Sequence, residues 1–199
     1  LLEVPAPVAS DLPGRPPNWR EYLAEHHSAD GGERLVWRSG LVTEFPVNDN
    51  PHTFMPDGSP LPRADYERLD ADDPAIWRTP GYVWNTWHAP DLWDIPPEAD
   101  LSQPAGYPDW LAGALREARA TCSDVSVHVE VFSPFTHLME LFGYENALMN
   151  LIVDGGKAHA LLDRLVEGCI VWAQAQARHG VDVVLMSSAF AGAPFASRR

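Results

Sequence analysis

The sequence predicts an α/β protein of (β/α)8-barrel type, incomplete within this chain, behind an irregular N-terminal region rich in proline and tryptophan. Three observations predict it. First, residues 124–132 alternate with period two, residues 156–179 repeat at three and four, and 181–188 form a short apolar run. Strand, crossover helices and strand make a βαβ unit, hence parallel pairing with a right-handed crossover. Second, 17 of the 19 prolines lie at or before Pro108, which separates an irregular part, 1–108, from a regular one, 109–199. Third, polar His128 and Glu130 alternate with valines, and the turn Phe132-Ser133-Pro134-Phe135-Thr136 lacks the glycines of a nucleotide loop. A barrel strand, with one face on helices and one toward an interior cavity, accommodates that pattern. A whole barrel needs about 250 residues, so roughly half of one is expected here.

In chain order, Asn18 as N-cap and Glu21 in the capping-box position predict a short helix over 18–27. Two strands follow at about 34–38 and 41–47, hinged at Ser39-Gly40. Residues 48–108 are expected to be mostly irregular. They are not expected to be a disordered tail, because Trp77, Trp84, Trp87 and Trp93, like Trp37 before them, require packing partners. Pro108 starts a helix over 109–120. The strand 124–132 sets Val125, Val127, Val129 and Val131 on one face and Ser126, His128 and Glu130 on the other. Two helices, about 135–142 and 144–153, are broken at Gly143. In the long helix 156–179, Ala158, Leu161, Leu162, Leu165, Val166, Cys169, Ile170, Trp172 and Ala173 form one buried stripe, and Gly180 ends it. The run VDVVLMSS, 181–188, is expected to be buried on both faces, as parallel strands are.

Fourteen basic against 28 acidic residues give a net charge of −14. Such a field opposes phosphate backbones and anionic lipid surfaces, so neither nucleic acid nor a membrane is an expected partner. No apolar run approaches the ~18–20 residues of a spanning helix, and the opening residues lack a signal pattern. Cys122 and Cys169 stand 47 residues apart, which makes neither a disulfide framework nor a thiolate zinc site. A reducing cytoplasm is the expected compartment. The chain begins at Leu1 rather than Met, so a processed or incomplete chain is expected.

Ligands of parallel α/β proteins meet the carboxyl ends of the strands. Two ends are visible, 132–137 (FSPFTH) and 187–197 (SSAFAGAPFAS). The first offers Phe132, Ser133, Phe135, Thr136 and His137 at a helix start, where free backbone N–H groups favour an anion. Ser133 as a plain N-cap is the alternative. The second offers Ser187, Ser188 and Gly192, whose small bulk suits a large flat ligand or, equally, a tight turn. These are the candidate substrate-binding residues. His128 and Glu130, about 6.5–7 Å apart on one strand face, are the candidate catalytic acid/base pair. They suit two metal ligands or a mutually satisfied buried pair as well. His88, Asp91 and Asp94 stand among Trp84, Trp87 and Trp93, as a lid or as a packed loop. His26-His27 fits a solvated face.

Together, 132–143 (FSPFTHLMELFG) and 180–197 (GVDVVLMSSAFAGAPFAS) resemble the uroporphyrinogen decarboxylase superfamily. The likeness lies in Pro134-Phe135-Thr136, Gly143, Gly180-Val181-Asp182, Ala191-Gly192 and then Phe195. It covers 109–199 well and 1–108 poorly. It implies a TIM-type (β/α)8 barrel with its cleft at the strand carboxyl ends, and a homodimer. It also implies a tetrapyrrole substrate for decarboxylation, or a corrinoid protein for methyl transfer. The decarboxylase's N-terminal arginine segment, which holds substrate carboxylates, has no counterpart here. Its tyrosine six residues after the turn proline falls on Glu140, and its Ser/His before the Ala-Gly turn becomes Ala189-Phe190. An octacarboxylate would therefore be poorly neutralised. No metal ligand is assigned in this chain. Zinc, which the methyltransferase branch binds, is expected only if the other half of a barrel carries its ligands. A non-catalytic fragment that binds a partner through the Trp/Pro-rich half is the alternative expectation.

Overall fold

The computed structural model describes residues 19–29, 31–48, 52–73, 76, 98–107, 109 and 113–188. Asn18, Trp77, Trp84, Trp87, His88, Asp91, Trp93, Asp94, Pro108, Ala189, Phe190, Ala191, Gly192 and Phe195 lie outside them.

The helix expected over 18–27 is instead one 3-10 turn, Trp19–Tyr22, running into strand β1, Leu23–Ala29. LAEHHSA carries no apolar stripe at helical spacing, so an isolated helix would have no face to bury. Its backbone pairs antiparallel with β2, Gly32–Trp37, from Leu23↔Trp37 to Ala29↔Gly32, and His26 reaches Glu33 on that strand at 3.0 Å. The hinge at Ser39-Gly40 holds. Gly40 takes φ +89°, open to a residue without a side chain, and β3, Val42–Pro46, returns antiparallel to β2. A short β4, His52–Phe54, extends this meander from within the stretch expected to be irregular. Trp37 Nε1 donates to Thr43 Oγ1 at 2.7 Å, and Thr43 Oγ1 meets Thr53 Oγ1 at 3.0 Å. A hydroxyl row thereby ties β2, β3 and β4 inside a buried face.

The regular part follows its predicted order. It comprises α1 (Gly113–Thr121), β5 (His128–Phe132), α2 (Pro134–Phe142), α3 (Tyr144–Val153), α4 (Gly155–Ala177) and β6 (Val183–Ser187). Gly143, at φ +78° and ψ 152°, breaks α2 from α3 in a backbone region that side chains exclude. β5 and β6 pair in parallel from His128↔Val183 to Phe132↔Ser187. Among the described residues this sheet has two strands, and no barrel is closed.

Three expectations need correction. β5 begins at His128 rather than 124, and Val125 is exposed outside the ladder. The stripe of α4 is narrower than expected: Ala158, Leu161, Leu165 and Cys169 are buried, but Val166 and Ile170 are exposed. They stand one position beyond Leu165 and Cys169, about 100° round the helix and off the core face. β6 is not buried on both faces, since Leu185 and Met186 are each 59% exposed. Its apolar sequence records a strand suited to two covered faces, while among the described residues β5 is its one sheet neighbour.

The core joins both halves of the sequence. Tyr66 and Ile76 pack with Leu138, Met139, Leu141, Phe142, Ala147, Leu161 and Leu165. The Tyr66 ring meets Phe142 edge-on at 5.2 Å. Ala64 N donates to Leu141 O at 2.8 Å, and Arg63 Nη1 donates to the Glu140 carbonyl. Full burial of a leucine such as Leu141 or Leu161 stabilises by about 1.5–3 kcal/mol, and Tyr66 and Ile76 are the apolar anchors by which the N-terminal part shares that cluster. Leu101 and Tyr107 attach further along, where Tyr107 lies 4.8 Å from Trp172 of α4. No described helix is long and apolar enough to cross a membrane.

Candidate active site

The carboxyl ends of β5 and β6 meet at Ser133. This residue leaves β5 in extended conformation and becomes the N-cap of α2, with Pro134 in the first turn where a missing N–H costs nothing. Its N–H donates to Ser187 O at 2.7 Å, carrying the strand ladder one residue past the end of β5. Its Oγ accepts from Thr136 N at 3.1 Å. The same oxygen lies 3.1 Å from Thr136 Oγ1 and 2.7 Å from Ser188 Oγ. Ser133 thus caps the helix, as the plainer expectation had it, and also joins both strand ends through hydroxyls. Ser133 and Thr136 are buried, Ser187 is half-buried and Ser188 is exposed, so the cluster opens outward at Ser188.

Behind it lie Phe132, His137 and Cys169. Burial pushes the His137 imidazole down to about 4, so it is neutral at pH 7, and its ring stands edge-on to Phe132 at 6.3 Å. Cys169 of α4 donates its thiol to Phe132 O at 3.2 Å, and burial pushes that thiol up to about 11. It stays protonated and does not act as a nucleophile. Phe135 packs its ring against the helical core. The structure therefore brings Phe132, Ser133, Thr136, His137, Ser187 and Ser188 to one end of the sheet.

His128 and Glu130 lie on the face of β5 opposite the buried Val127, Val129 and Val131, and both are exposed. His128 is the first residue of β5, four residues and hence about 13 Å from Phe132. Its Nε2 lies 2.8 Å from Ser126 Oγ. Glu130 is one pleat below Phe132. The structure thus sets the carboxylate near the strand ends and the imidazole near the strand start.

A polar residue outside the candidate set, Asp182, holds the other end of the sheet. Asp182 Oδ2 accepts from Val127 N at 2.9 Å, and its two oxygens accept from Arg119 Nη1 and Nη2 at 2.8 and 2.9 Å. The Val127 N–H and the Arg119 guanidinium hold its carboxyl below the usual carboxylate range. This clamp fixes the amino ends of β5 and β6, opposite the hydroxyl cluster. A lone aspartate opening an apolar strand, with an arginine in the last turn of α1, the helix before β5, was the available signal. Glu140 is likewise engaged, its Oε2 3.3 Å from Arg63 Nη1. Among the described residues no three His, Cys, Asp or Glu side chains group to hold a metal, so no zinc site fits them.

Residues 88–193, more than half of the chain and spanning β5 to β6, match the family model described as uroporphyrinogen decarboxylase (URO-D). No curated protein and no solved structure matches the chain.

Proposed function

The chain belongs to the uroporphyrinogen decarboxylase family, and from that premise we propose a barrel-type enzyme whose substrate cleft lies at the carboxyl ends of β5 and β6. Its substrate is a tetrapyrrole or a corrinoid-linked group, transformed by decarboxylation or by methyl transfer. The observation that carries this reading is the Ser133–Ser188 contact at 2.7 Å, which unites two strand ends at the start of a helix. Ligands of parallel α/β proteins bind at that end.

In this reading the exposed Ser188 offers its hydroxyl to polar substrate atoms, the buried Ser133 holds it at 2.7 Å, and Phe132 gives an apolar wall. Glu130 handles the proton of the reaction, and His128 lies one pleat lower on the same face. Neutral His137 supports the floor without adding charge. Two unpaired cysteines, one exposed and one buried, suit a cytoplasmic setting. A homodimer is the assembly that the family suggests.

A visible-absorbance titration with uroporphyrin and, separately, hydroxocobalamin tests the reading, because each ligand has its own spectrum. A saturable shift with either one supports it. Absence of any shift with both favours the rival, a non-catalytic fragment that binds a protein partner.

A further inference from the structure

We propose that the open face of the β2–β3–β4 meander binds a small zwitterion, a free α-amino acid with an apolar side chain, between Arg34 and Glu44. The meander lies outside residues 88–193, which match the family model, so the decarboxylase reading gives it no role. The pairings His27↔Arg34, Arg34↔Glu44 and Glu44↔His52 set one polar row across four strands. That row lies on the face opposite the buried Leu35, Thr43 and Thr53. Beside it Val42, Phe54, Met55 and Pro56 wall a hollow of about 180 Å³, with Arg34 and Glu44 at its rim. Pockets for drug-sized ligands run to about 300–1,000 Å³, so this one takes a molecule the size of a single residue.

The hollow is formed before any ligand arrives. One wall is the turn 55–59, closed by Met55 N donating to Ser59 O at 2.8 Å and Gly58 N to Met55 O at 2.9 Å. Gly58 takes φ +81°, the left-handed backbone that this turn requires. Asp57 Oδ1 accepts from Ser59 N and Ser59 Oγ, so that carboxylate is engaged within the turn. A preformed wall lowers the ordering cost of binding.

The rim carries two opposite charges that hold one another loosely. Arg34 Nε lies 3.6 Å from Glu44 Oε1, longer than a hydrogen bond, and both side chains are half exposed, where water screens the pair. Among the described residues neither head group makes a hydrogen bond, so the five guanidinium donors and both carboxylate oxygens are open. At one end of the row His27 is held by Glu25, Nε2 to Oε2 at 2.9 Å. At the other, His52 stands beside Glu44 with its ring 6.3 Å from that of Phe54. A ligand carboxylate matches the planar guanidinium as a bidentate pair, and an adjacent ammonium matches Glu44. An anion alone would meet Glu44 as a like charge, and a cation alone would meet Arg34. A zwitterion balances both, and its side chain enters the apolar hollow.

The test titrates the 199-residue chain with phenylalanine, 3-phenylpropanoate and 2-phenylethylammonium, and follows amide NMR shifts. These probes carry one aromatic body with both charges, the anion alone and the cation alone. Phenylalanine is expected to shift 34, 42–44 and 54–58 and to bind about fivefold or more above either singly charged probe. Arg34→Gln and Glu44→Gln should each weaken phenylalanine by about fivefold, while the Trp37 indole and Thr53 resonances show the meander folded. A singly charged probe binding as tightly as phenylalanine, a variant that holds phenylalanine as before, or no shift in the meander with any probe overturns the proposal. Phenylalanine shifts confined to 132–137 and 185–188 overturn it as well, and leave the cleft at β5 and β6 standing.

Discussion

Ser133 is the residue on which the site turns, because three groups share its oxygen: Thr136 N, Thr136 Oγ1 and Ser188 Oγ. Replacing an N-cap serine by alanine costs about 0.5–2 kcal/mol, and a buried hydroxyl, Thr136 Oγ1, loses a partner as well. Ser133→Ala is expected to lower unfolding stability by about 1–2 kcal/mol in denaturant titration. His137 makes the site sensitive to acid. Its folded pKa of about 4 lies below the ordinary 6.5, so the unfolded chain binds a proton that the folded chain refuses. Stability from this group is therefore full above pH 6.5 and is lost as pH falls from 6.5 toward 4. The loss amounts to about 3 kcal/mol, from 1.36 kcal/mol per pKa unit. Melting curves between pH 4 and 7 should show that slope in the parent chain and a flatter one in His137→Leu.

Among the elements, the pairing of β5 with β6 depends on a clamp at its amino end. Asp182 accepts from Val127 N and from both terminal nitrogens of Arg119. Asp182→Asn should lower the melting temperature and speed hydrogen exchange at the Val127 amide. In the parent chain the same loss should set in on acidification, as pH falls through the lowered pKa of the Asp182 carboxyl, with the clamp intact above the usual carboxylate range. The helices α2, α3 and α4 were legible in the sequence because Pro134, Gly143 and the spacing of Leu161, Leu165 and Cys169 are local signals that tertiary packing reinforces. β1 was not legible. Its residues follow a capping signature, and their strand state is set by β2, a non-local partner that no window of sequence contains. β4 was missed for the same reason, three residues whose strand identity comes from Val42, Thr43 and Glu44 opposite. Of the site, the gathering of Ser133, Thr136, Ser187 and Ser188 followed from strand order. The position of His128 near the strand start did not, since the alternating pattern extends to Val125 and conceals where the ladder begins.

For the molecule as a whole, Tyr66 and Ile76 inside the helical core, with Leu101 and Tyr107 beside Trp172, join its two compositional halves. Strand β6 is less protected. Val183, Val184, Leu185 and Met186 are all exposed on β6, an apolar strand surface of the kind that templates association. Self-association measured by light scattering should rise with concentration and fall in Leu185→Lys, and binding of a hydrophobic dye should fall with it. Unchanged association in that variant would place the adhesive surface elsewhere.

Ligand binding where β5 and β6 end is open to hydrogen–deuterium exchange on the 199-residue chain, with uroporphyrin and with hydroxocobalamin. At least one of them should slow exchange in 132–137 and 183–188 and leave β1–β4 unchanged. Protection confined to 23–54, or no protection by either ligand, would contradict it.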